Sequence, residues 1–154
     1  MARWWKKEGS LRYTNVQKLL ILADGGESNG SRTRAWKYAL QKELADPFGL
    51  SVTVCHYPPK TSKWNPIEHR LFSEISKHWA GQPLESYETV LNYIRTTTTN
   101  TGLKVKATLI KKDYPTGIKI SDAEMKTLNI HSHRVLPKWN YTIEPRHTKI
   151  GSYF

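Results

Sequence analysis

The sequence predicts an α/β fold with a core in which strand, helix, strand and helix follow one another. Residues 16–23, nearly continuous in apolar side chains after Lys18, are typical of a strand covered on both faces in a parallel sheet, and residues 51–57 are predicted to form a second strand. Between them, residues 31–45 place apolar side chains at helical spacing, with basic side chains on the outside. Two strands joined by one helix favour a right-handed parallel unit.

Asp24 ends the first of these strands, and Gly25 and Gly26 follow it in a predicted turn. The crossover helix after this turn is expected to stop at Asp46 and Pro47, because proline lacks the amide proton that a helix interior needs. Asp24 is therefore placed at the carboxyl end of a strand.

The second helix follows a stiff basic loop, residues 58–64, in which two prolines exclude regular structure. Asn65 is the predicted cap of this helix and Pro66 its first residue. Glu68 lies in the first turn, at the edge of the apolar side, and is expected to point toward the sheet. The apolar stripe of the helix comprises Ile67, Leu71, Phe72, Ile75 and Trp79.

Three further elements are predicted toward the C-terminus. A helix begins at Ser86, with Tyr87, Val90, Leu91 and Ile94 inward, and residues 103–109 alternate as a half-buried strand with a basic outer face. Residues 122–128 form a short helix, and the chain after Asn129, which has no period, is interpreted as a docked or partner-binding extension. The resulting segments are an irregular basic lead-in (1–15), a core (16–100) and a basic C-terminal extension (101–154).

Composition narrows the class of function. The 154 residues suit one domain, and 24 Lys and Arg against 13 Asp and Glu give a formal net charge of +11, which favours a polyanionic partner such as DNA. The longest apolar run is far shorter than the roughly 20 residues of a membrane span. We therefore expect a soluble, cytoplasmic protein that is nucleoid-associated when it is bound to DNA. Its single cysteine, Cys55, excludes an internal disulfide and is predicted to be buried.

Asp24 and Glu68 are the candidate catalytic and metal-binding residues. Carboxylates held by a strand end and a first helical turn can share a divalent cation, Mg²⁺ or Mn²⁺, which suits phosphodiester chemistry. Each acid also has a structural interpretation. Asp24 can cap its own turn, and Glu68 stands three residues after Asn65, the spacing of a capping box.

Four segments of the chain, residues 20–30, 36–41, 55–72 and 98–105, together resemble a known family. They contain in order Asp-Gly-Gly, Pro-Pro, Thr-Ser-Lys and Asn-Pro-Ile-Glu-His-Arg. This combination resembles the C-terminal half of a bacterial insertion-sequence transposase of the DDE class. The resemblance implies a partial RNase H-like fold, as in retroviral integrases, with residues 16–100 as the C-terminal half of the catalytic domain.

The resemblance also implies roles for individual residues. Asp24 corresponds to the second catalytic aspartate and Glu68 to the closing glutamate, whereas the first three strands and the first aspartate are missing. Glu27 stands where a glycine is expected, and its role is open. DNA contacts are expected from Lys60, Lys63, Trp64, His69 and Arg70 near the scissile phosphate, and from Lys104, Lys106, Lys138, Arg146 and Lys149 elsewhere.

Two functional hypotheses remain open on the sequence alone. The first is a transposase fragment that cleaves and joins DNA at transposon ends and target sites once a first aspartate is supplied. The second is a non-catalytic DNA-binding or transposase-binding remnant that regulates transposition. Because the first strand is expected to be missing, the edge of the strand before Asp24 is exposed, with Leu20 and Leu22 uncovered. We expect that edge to lead to self-association or to completion by an upstream polypeptide. A zinc protein using His56, His69, His131 and His133 is the least favoured alternative.

Overall fold

The computed structural model describes residues 1–26, 28–58 and 60–146, and these form two compact units. The sheet unit comprises residues 1–59 and 117–154, and the helical unit comprises residues 60–116. Glu27 and Lys149, both named in the sequence predictions, lie outside the described residues. The predicted boundaries near residues 15 and 100 stay predictions.

Three of the helices are composite. They are α1 (Ala2–Trp4, Trp5–Gly9, Ser10–Arg12), α2 (Arg34–Ala39, Leu40–Ala45, Asp46–Phe48) and α3 (Glu68–Phe72, Ser73–His78). The middle segments of α1 and α2 and the first segment of α3 are π-helical. The remaining elements are β1 (Lys18–Ala23), β2 (Ser51–His56), α4 (Tyr87–Thr96), α5 (Asp122–Lys126), β3 (Ile130–Ser132) and β4 (Asn140–Ile143).

A four-stranded mixed sheet with the order β1-β2-β4-β3 forms the centre of the sheet unit. Strands β1 and β2 are parallel, with Ala23 opposite His56, which confirms the predicted strand-helix-strand unit. Strand β4 is antiparallel to β2, with Val54 opposite Tyr141. The α/β class is therefore confirmed.

The core covers one face of this sheet. Alternating side chains from β1, β2 and β4 are buried there against helices α1 and α2, as expected for strands with one buried face. The buried set is Trp5, Ile21, Ala23, Leu40, Leu44, Ala45, Leu50, Val52, Val54, Tyr141 and Ile143.

The opposite face of β1 is open, so the expectation of a strand covered on both faces is wrong. Leu20 is 59% exposed and Leu22 is 44% exposed, which confirms the predicted lack of cover over these two side chains, whereas the missing first strand stays a prediction. Among the described strands, β1 also stands at the edge of the sheet. Cys55 alternates with buried Val54 and is half-buried rather than buried.

The lead-in is helical, and its predicted irregularity is wrong. Helix α1 buries Trp5, which is only 4% exposed, in the sheet core. Its wide π-helical turn changes the residue spacing, so no simple period is visible in the sequence. A Cβ on Gly9 would lie 2.6 Å from the Trp5 ring, so this position requires glycine.

Helix α2 also continues past its predicted stop. Asp46 and Pro47 begin its last segment, where proline is tolerated, and the helix ends at Gly49 with a φ of +62°. The Asp46 side chain accepts hydrogen bonds from outside its own helical segment. Its carboxylate binds Gln41 Nε2 at 2.6 Å, and the guanidinium and backbone amide of Arg146.

The C-terminal part differs most from expectation. Residues 103–109 alternate in exposure from 103 to 108, but the structure assigns them no strand. Strands β3 and β4 instead form a hairpin within the segment after Asn129, and β4 lies directly beside β2. Short strands with Pro, Trp and His between them carry too few residues to show a period of two, although Tyr141 and Ile143 alternate into the core.

The helical unit begins with a single 3₁₀ turn, Ser62–Trp64, inside the loop predicted to be irregular. Asn65 Oδ1 accepts a hydrogen bond from the Ile67 amide at 3.3 Å, which supports its predicted capping role. Ser86 caps α4 by accepting from the Thr89 amide at 3.0 Å. Tyr87 is 77% exposed, however, so its predicted inward orientation is wrong.

Replacing Asp46 by asparagine is expected to lower the free energy of unfolding by about 2 kcal/mol at neutral pH. Burial by itself would raise the pKa of Asp46, but hydrogen bonds from Arg146 and Gln41 outweigh it and lower the pKa. The stabilisation is thus complete above the unfolded value of about 4 and is lost as pH falls through the lower folded pKa. Urea unfolding at pH 7 and pH 3 measures it.

The matched control is Asp122→Asn, which removes an exposed partner of Arg34 in the same unit. An exposed pair contributes less than about 1 kcal/mol. Two results would contradict the role given to the Asp46–Arg146 pair. One is an equal decrease in the free energy of unfolding in both variants. The other is a decrease in Asp46→Asn that does not become smaller toward acid pH.

Within the described chain, no helix combines the length and apolar character needed to cross a membrane.

Candidate functional site

Asp24 lies directly after β1, at the carboxyl end of the two parallel strands. The backbone turns there through Gly25, whose φ of +75° favours glycine. Asp24 Oδ1 accepts hydrogen bonds from the Gly26 amide at 3.2 Å and from Asn29 Nδ2 at 3.3 Å. The other carboxylate oxygen, Oδ2, has no hydrogen bond to a described residue. The turn-aspartate interpretation is correct locally, and it leaves one oxygen of an exposed carboxylate available.

The charge of Asp24 is stabilised by the same contacts. The hydrogen bond from the Gly26 amide, followed by that from the Asn29 side chain, lowers the pKa of Asp24 below its ordinary value. Asp24 is therefore an anion at neutral pH, the form in which a carboxylate binds a divalent cation.

His56 anchors the loop that follows Asp24. Its Nε2 lies 2.8 Å from the Asn29 carbonyl oxygen, and its Nδ1 lies 2.7 Å from the Trp139 carbonyl oxygen. The side chain is at the end of β2 and is only 6% exposed. Its ring also packs on Tyr141, with ring centres 5.9 Å apart. The loop is thereby attached to the core of the sheet unit.

A cavity of about 350 Å³ opens beside the Asp24 turn. Its walls include Gly26, Thr33, His56, Tyr57 and Trp139. The cavity lies at the carboxyl ends of β1 and β2, which is where open α/β sheets usually place their ligands.

Glu68 begins the π-helical first segment of α3 and is half-buried. Its backbone amide donates to the Asn65 carbonyl at 3.1 Å, while the Asn65 side chain binds Ile67. The described part of the helical unit offers the Glu68 carboxylate no hydrogen-bond or ion-pair partner. The capping-box interpretation, which needs a bond from this carboxylate to the cap amide, is therefore wrong.

The basic loop before α3 is held by one histidine. His69 Nε2 donates to the Lys63 carbonyl at 2.6 Å, which fastens the loop to the helix. Trp64 is 65% exposed, and Lys63 Nζ lies 5.3 Å from the centre of its ring. An exposed aromatic ring beside a cation is a surface that can stack on a base and contact a phosphate.

Other predicted DNA-contacting residues are also exposed. Lys60, Arg70, Lys104 and Lys106 present exposed side chains in the helical unit. Lys60 has a φ of +66°, a strained value for lysine. In the extended segment that carries Lys106, the carbonyl of Ala107 accepts from Arg95 Nε at 2.9 Å, which ties this segment to α4. Arg146, by contrast, is bound to Asp46.

Asp24 belongs to the sheet unit and Glu68 to the helical unit. Their joint binding of one cation stays a prediction. Across residues 1–26, 28–58 and 60–146, no group of three or more His, Cys, Asp or Glu side chains is arranged to hold a metal ion.

Two residues of this site were not predicted from the sequence, Asn29 and His56 in its role as loop anchor. Asn29 lies five residues after Asp24, and its amide reaches back over a turn of glycines. Local sequence offers one hint, since Asn and Gly cluster where a chain reverses direction. His56 ends a strand, and nothing in the sequence indicates that two distant carbonyl groups meet its ring.

Comparison with known proteins agrees with the resemblance seen in the sequence. Neither a curated protein nor a solved structure matches the chain. A family model described as the Rhodopirellula transposase DDE domain matches residues 1–145. Because this match covers nearly all of the 154 residues, the chain belongs to the DDE transposase domain family of the ISAZ013 type.

Proposed function

We propose that this domain catalyses DNA cleavage and strand transfer at transposon ends, using Asp24 and Glu68 as ligands of a divalent metal ion, Mg²⁺ or Mn²⁺. The observation that carries the proposal is the state of Asp24. It is an ionised, exposed carboxylate at the carboxyl end of parallel strands, and its two described hydrogen bonds both go to Oδ1.

The donor set suits a hard divalent cation. Mg²⁺ and Mn²⁺ prefer oxygen ligands, and within the described residues of their own units Asp24 Oδ2 and the Glu68 carboxylate make no hydrogen bond that would compete with such an ion. When bound, such an ion stabilises the attacking and leaving oxygens of a phosphodiester. Asp24 and Glu68 would hold the ion, and the Gly26 amide and the Asn29 side chain bind Oδ1 of the Asp24 carboxylate.

We also propose that a further aspartate completes the site on a strand that adds to the outer edge of β1. Supporting this, β1 is an edge strand among the described elements, and Leu20 and Leu22 are exposed on its open face. That strand belongs either to an upstream part of the transposase or to a second polypeptide, including another copy of this chain. The fold is then completed as an RNase H-like domain.

DNA would be held by the basic side chains of the helical unit. Replacing Lys104 and Lys106 together by alanine is expected to reduce the slope of log K against log salt concentration by about 2. Fluorescence anisotropy with a labelled duplex measures this slope at several salt concentrations. The control, Lys119→Ala with Lys126→Ala, removes the same charge from exposed positions in the sheet unit and is expected to leave the slope nearly unchanged. Equal slopes for the two double variants would show that only net charge matters.

The alternative of a non-catalytic DNA-binding regulator predicts DNA binding without metal-dependent cleavage. The deciding experiment is a nicking assay on transposon-end DNA with Mn²⁺, with and without a polypeptide that supplies the proposed further aspartate. Nicking that needs both Mn²⁺ and Asp24 supports the catalytic proposal. DNA binding with no nicking under any complementation supports the regulator.

A further inference from the structure

Asn29, a half-buried residue of the loop after Asp24, contacts residues at the ends of two strands. Asn29 Nδ2 donates to Asp24 Oδ1 at 3.3 Å, while the backbone carbonyl of Asn29 accepts from the His56 ring at 2.8 Å. Asn29 thus joins the carboxylate at the end of β1 to a buried ring at the end of β2.

The orientation of this amide follows from chemistry. A carboxylate only accepts hydrogen bonds, so the amide NH₂ of Asn29 must face Asp24 and its oxygen must face away. That oxygen, Oδ1, is buried and has no hydrogen-bond partner within the described residues. A buried acceptor without a partner is destabilising. Packing alone would therefore favour an apolar side chain of similar shape at this position.

The glycines on either side of Asn29 let the loop backbone pack closely. A Cβ on Gly26 would lie 3.3 Å from Asn29 Oδ1, and a Cβ on Gly30 would lie 3.0 Å from the Gly26 carbonyl oxygen. His56, which fixes the Asn29 backbone, is itself held by the Trp139 carbonyl at 2.7 Å. The polar contacts of His56 and Asn29 therefore form one continuous path from the Trp139 carbonyl to Asp24.

We propose that Asn29 is the positioning residue of the metal site: it holds Oδ1 of Asp24, which would leave Oδ2 to bind the cation, and its own backbone carbonyl is held by His56. This inference rests on the proposed function, because it assumes that Asp24 binds the metal. It adds a residue whose proposed role is to act through the Asp24 carboxylate, which Asn29 Nδ2 contacts at 3.3 Å. Residues that orient metal ligands in this way commonly change metal affinity roughly 10- to 100-fold when they are replaced.

The test is a titration of the full chain with Mn²⁺ in the absence of DNA. The affinity for Mn²⁺ is measured from the paramagnetic broadening of the Gly25 and Gly26 amide signals in NMR spectra. Asn29→Leu keeps the approximate shape and removes the donor, and it is expected to weaken Mn²⁺ binding about tenfold. Its melting temperature is expected to equal or exceed that of the wild type, because the unpartnered oxygen is also removed. A purely structural role for Asn29 would give the reverse result, a lower melting temperature with unchanged affinity.

Two variants separate this inference from the proposed function. Asp24→Asn is expected to abolish the broadening, and if it does not, the metal site itself is assigned wrongly. If Asp24→Asn abolishes the broadening but Asn29→Leu stays within about twofold of wild type, the site stands and the positioning role of Asn29 is refuted. If the leucine variant does not fold, Asn29→Ala replaces it and is expected to weaken Mn²⁺ binding to the same extent. Ser28→Ala, an exposed change in the same loop, is the control and is expected to bind Mn²⁺ like wild type.

Discussion

Asp24→Asn and Glu68→Gln are each expected to lower the rate of complemented, metal-dependent DNA nicking by roughly a thousandfold, about 4 kcal/mol of transition-state stabilisation. Each substitution keeps the size of the side chain and removes one negative charge. A neutral amide is a poor ligand for Mg²⁺ or Mn²⁺, so the phosphodiester would lose the ion that stabilises its developing charge. The rate constants come from single-turnover nicking of an end-labelled transposon-end duplex with saturating Mn²⁺.

Matched carboxylates elsewhere provide the controls. Glu74→Gln changes an acid of the same helix, α3, that pairs with Lys77 at 2.7 Å, and Asp122→Asn changes an exposed acid of the sheet unit. Both are expected to nick DNA within about twofold of wild type, as surface changes usually do. If Asp24 and Glu68 bind one ion, as proposed, the double variant is expected to be little slower than either single variant. If the double variant showed the product of the two single-variant reductions in nicking rate, the two carboxylates would act independently. That result would contradict a shared ion.

Tyr141→Ala is expected to lower the free energy of unfolding of the sheet unit by about 4 kcal/mol, the range seen for buried aromatic residues. Tyr141 is 1% exposed on β4 and packs within the core cluster, with the His56 ring against it and Lys37 Nζ 5.0 Å from its ring centre. Burial raises its pKa to about 12, so the phenol stays neutral and the loss is mainly one of packing. Urea unfolding followed by circular dichroism measures it.

This prediction separates a sheet strand from a docked extension. If the segment after Asn129 were only docked on the surface, Tyr141→Ala would change stability by less than about 1 kcal/mol. Val135→Ala is the control in the same hairpin, since Val135 is 69% exposed and its replacement is expected to stay within about 0.5 kcal/mol of wild type. A large decrease in the free energy of cooperative unfolding in Tyr141→Ala, without one in Val135→Ala, supports β4 as an integral strand of the sheet.

The family and the parallel strand unit could be predicted from sequence because the deciding residues are close along the chain. Apolar runs and a short glycine turn place Asp24 at the end of β1, and Asn65 before Pro66 places the start of α3. These are local effects of backbone geometry and capping, which depend on few neighbours. The ordered motifs from Asp-Gly-Gly to Asn-Pro-Ile-Glu-His-Arg predicted a DDE transposase, which the family match confirms.

What the sequence by itself determined is therefore the class, the family and the position of Asp24 at a strand end. Only the tertiary structure decided that β4 completes the sheet, that α1 is a helix buried through Trp5, and that residues 103–109 are not a strand. It also decided that Asn29 and His56 hold the Asp24 loop. The physical reason is that these features depend on partners distant in sequence, such as Val54 with Tyr141 or His56 with Trp139, and a strand or an anchor exists only where such a partner accepts its hydrogen bonds.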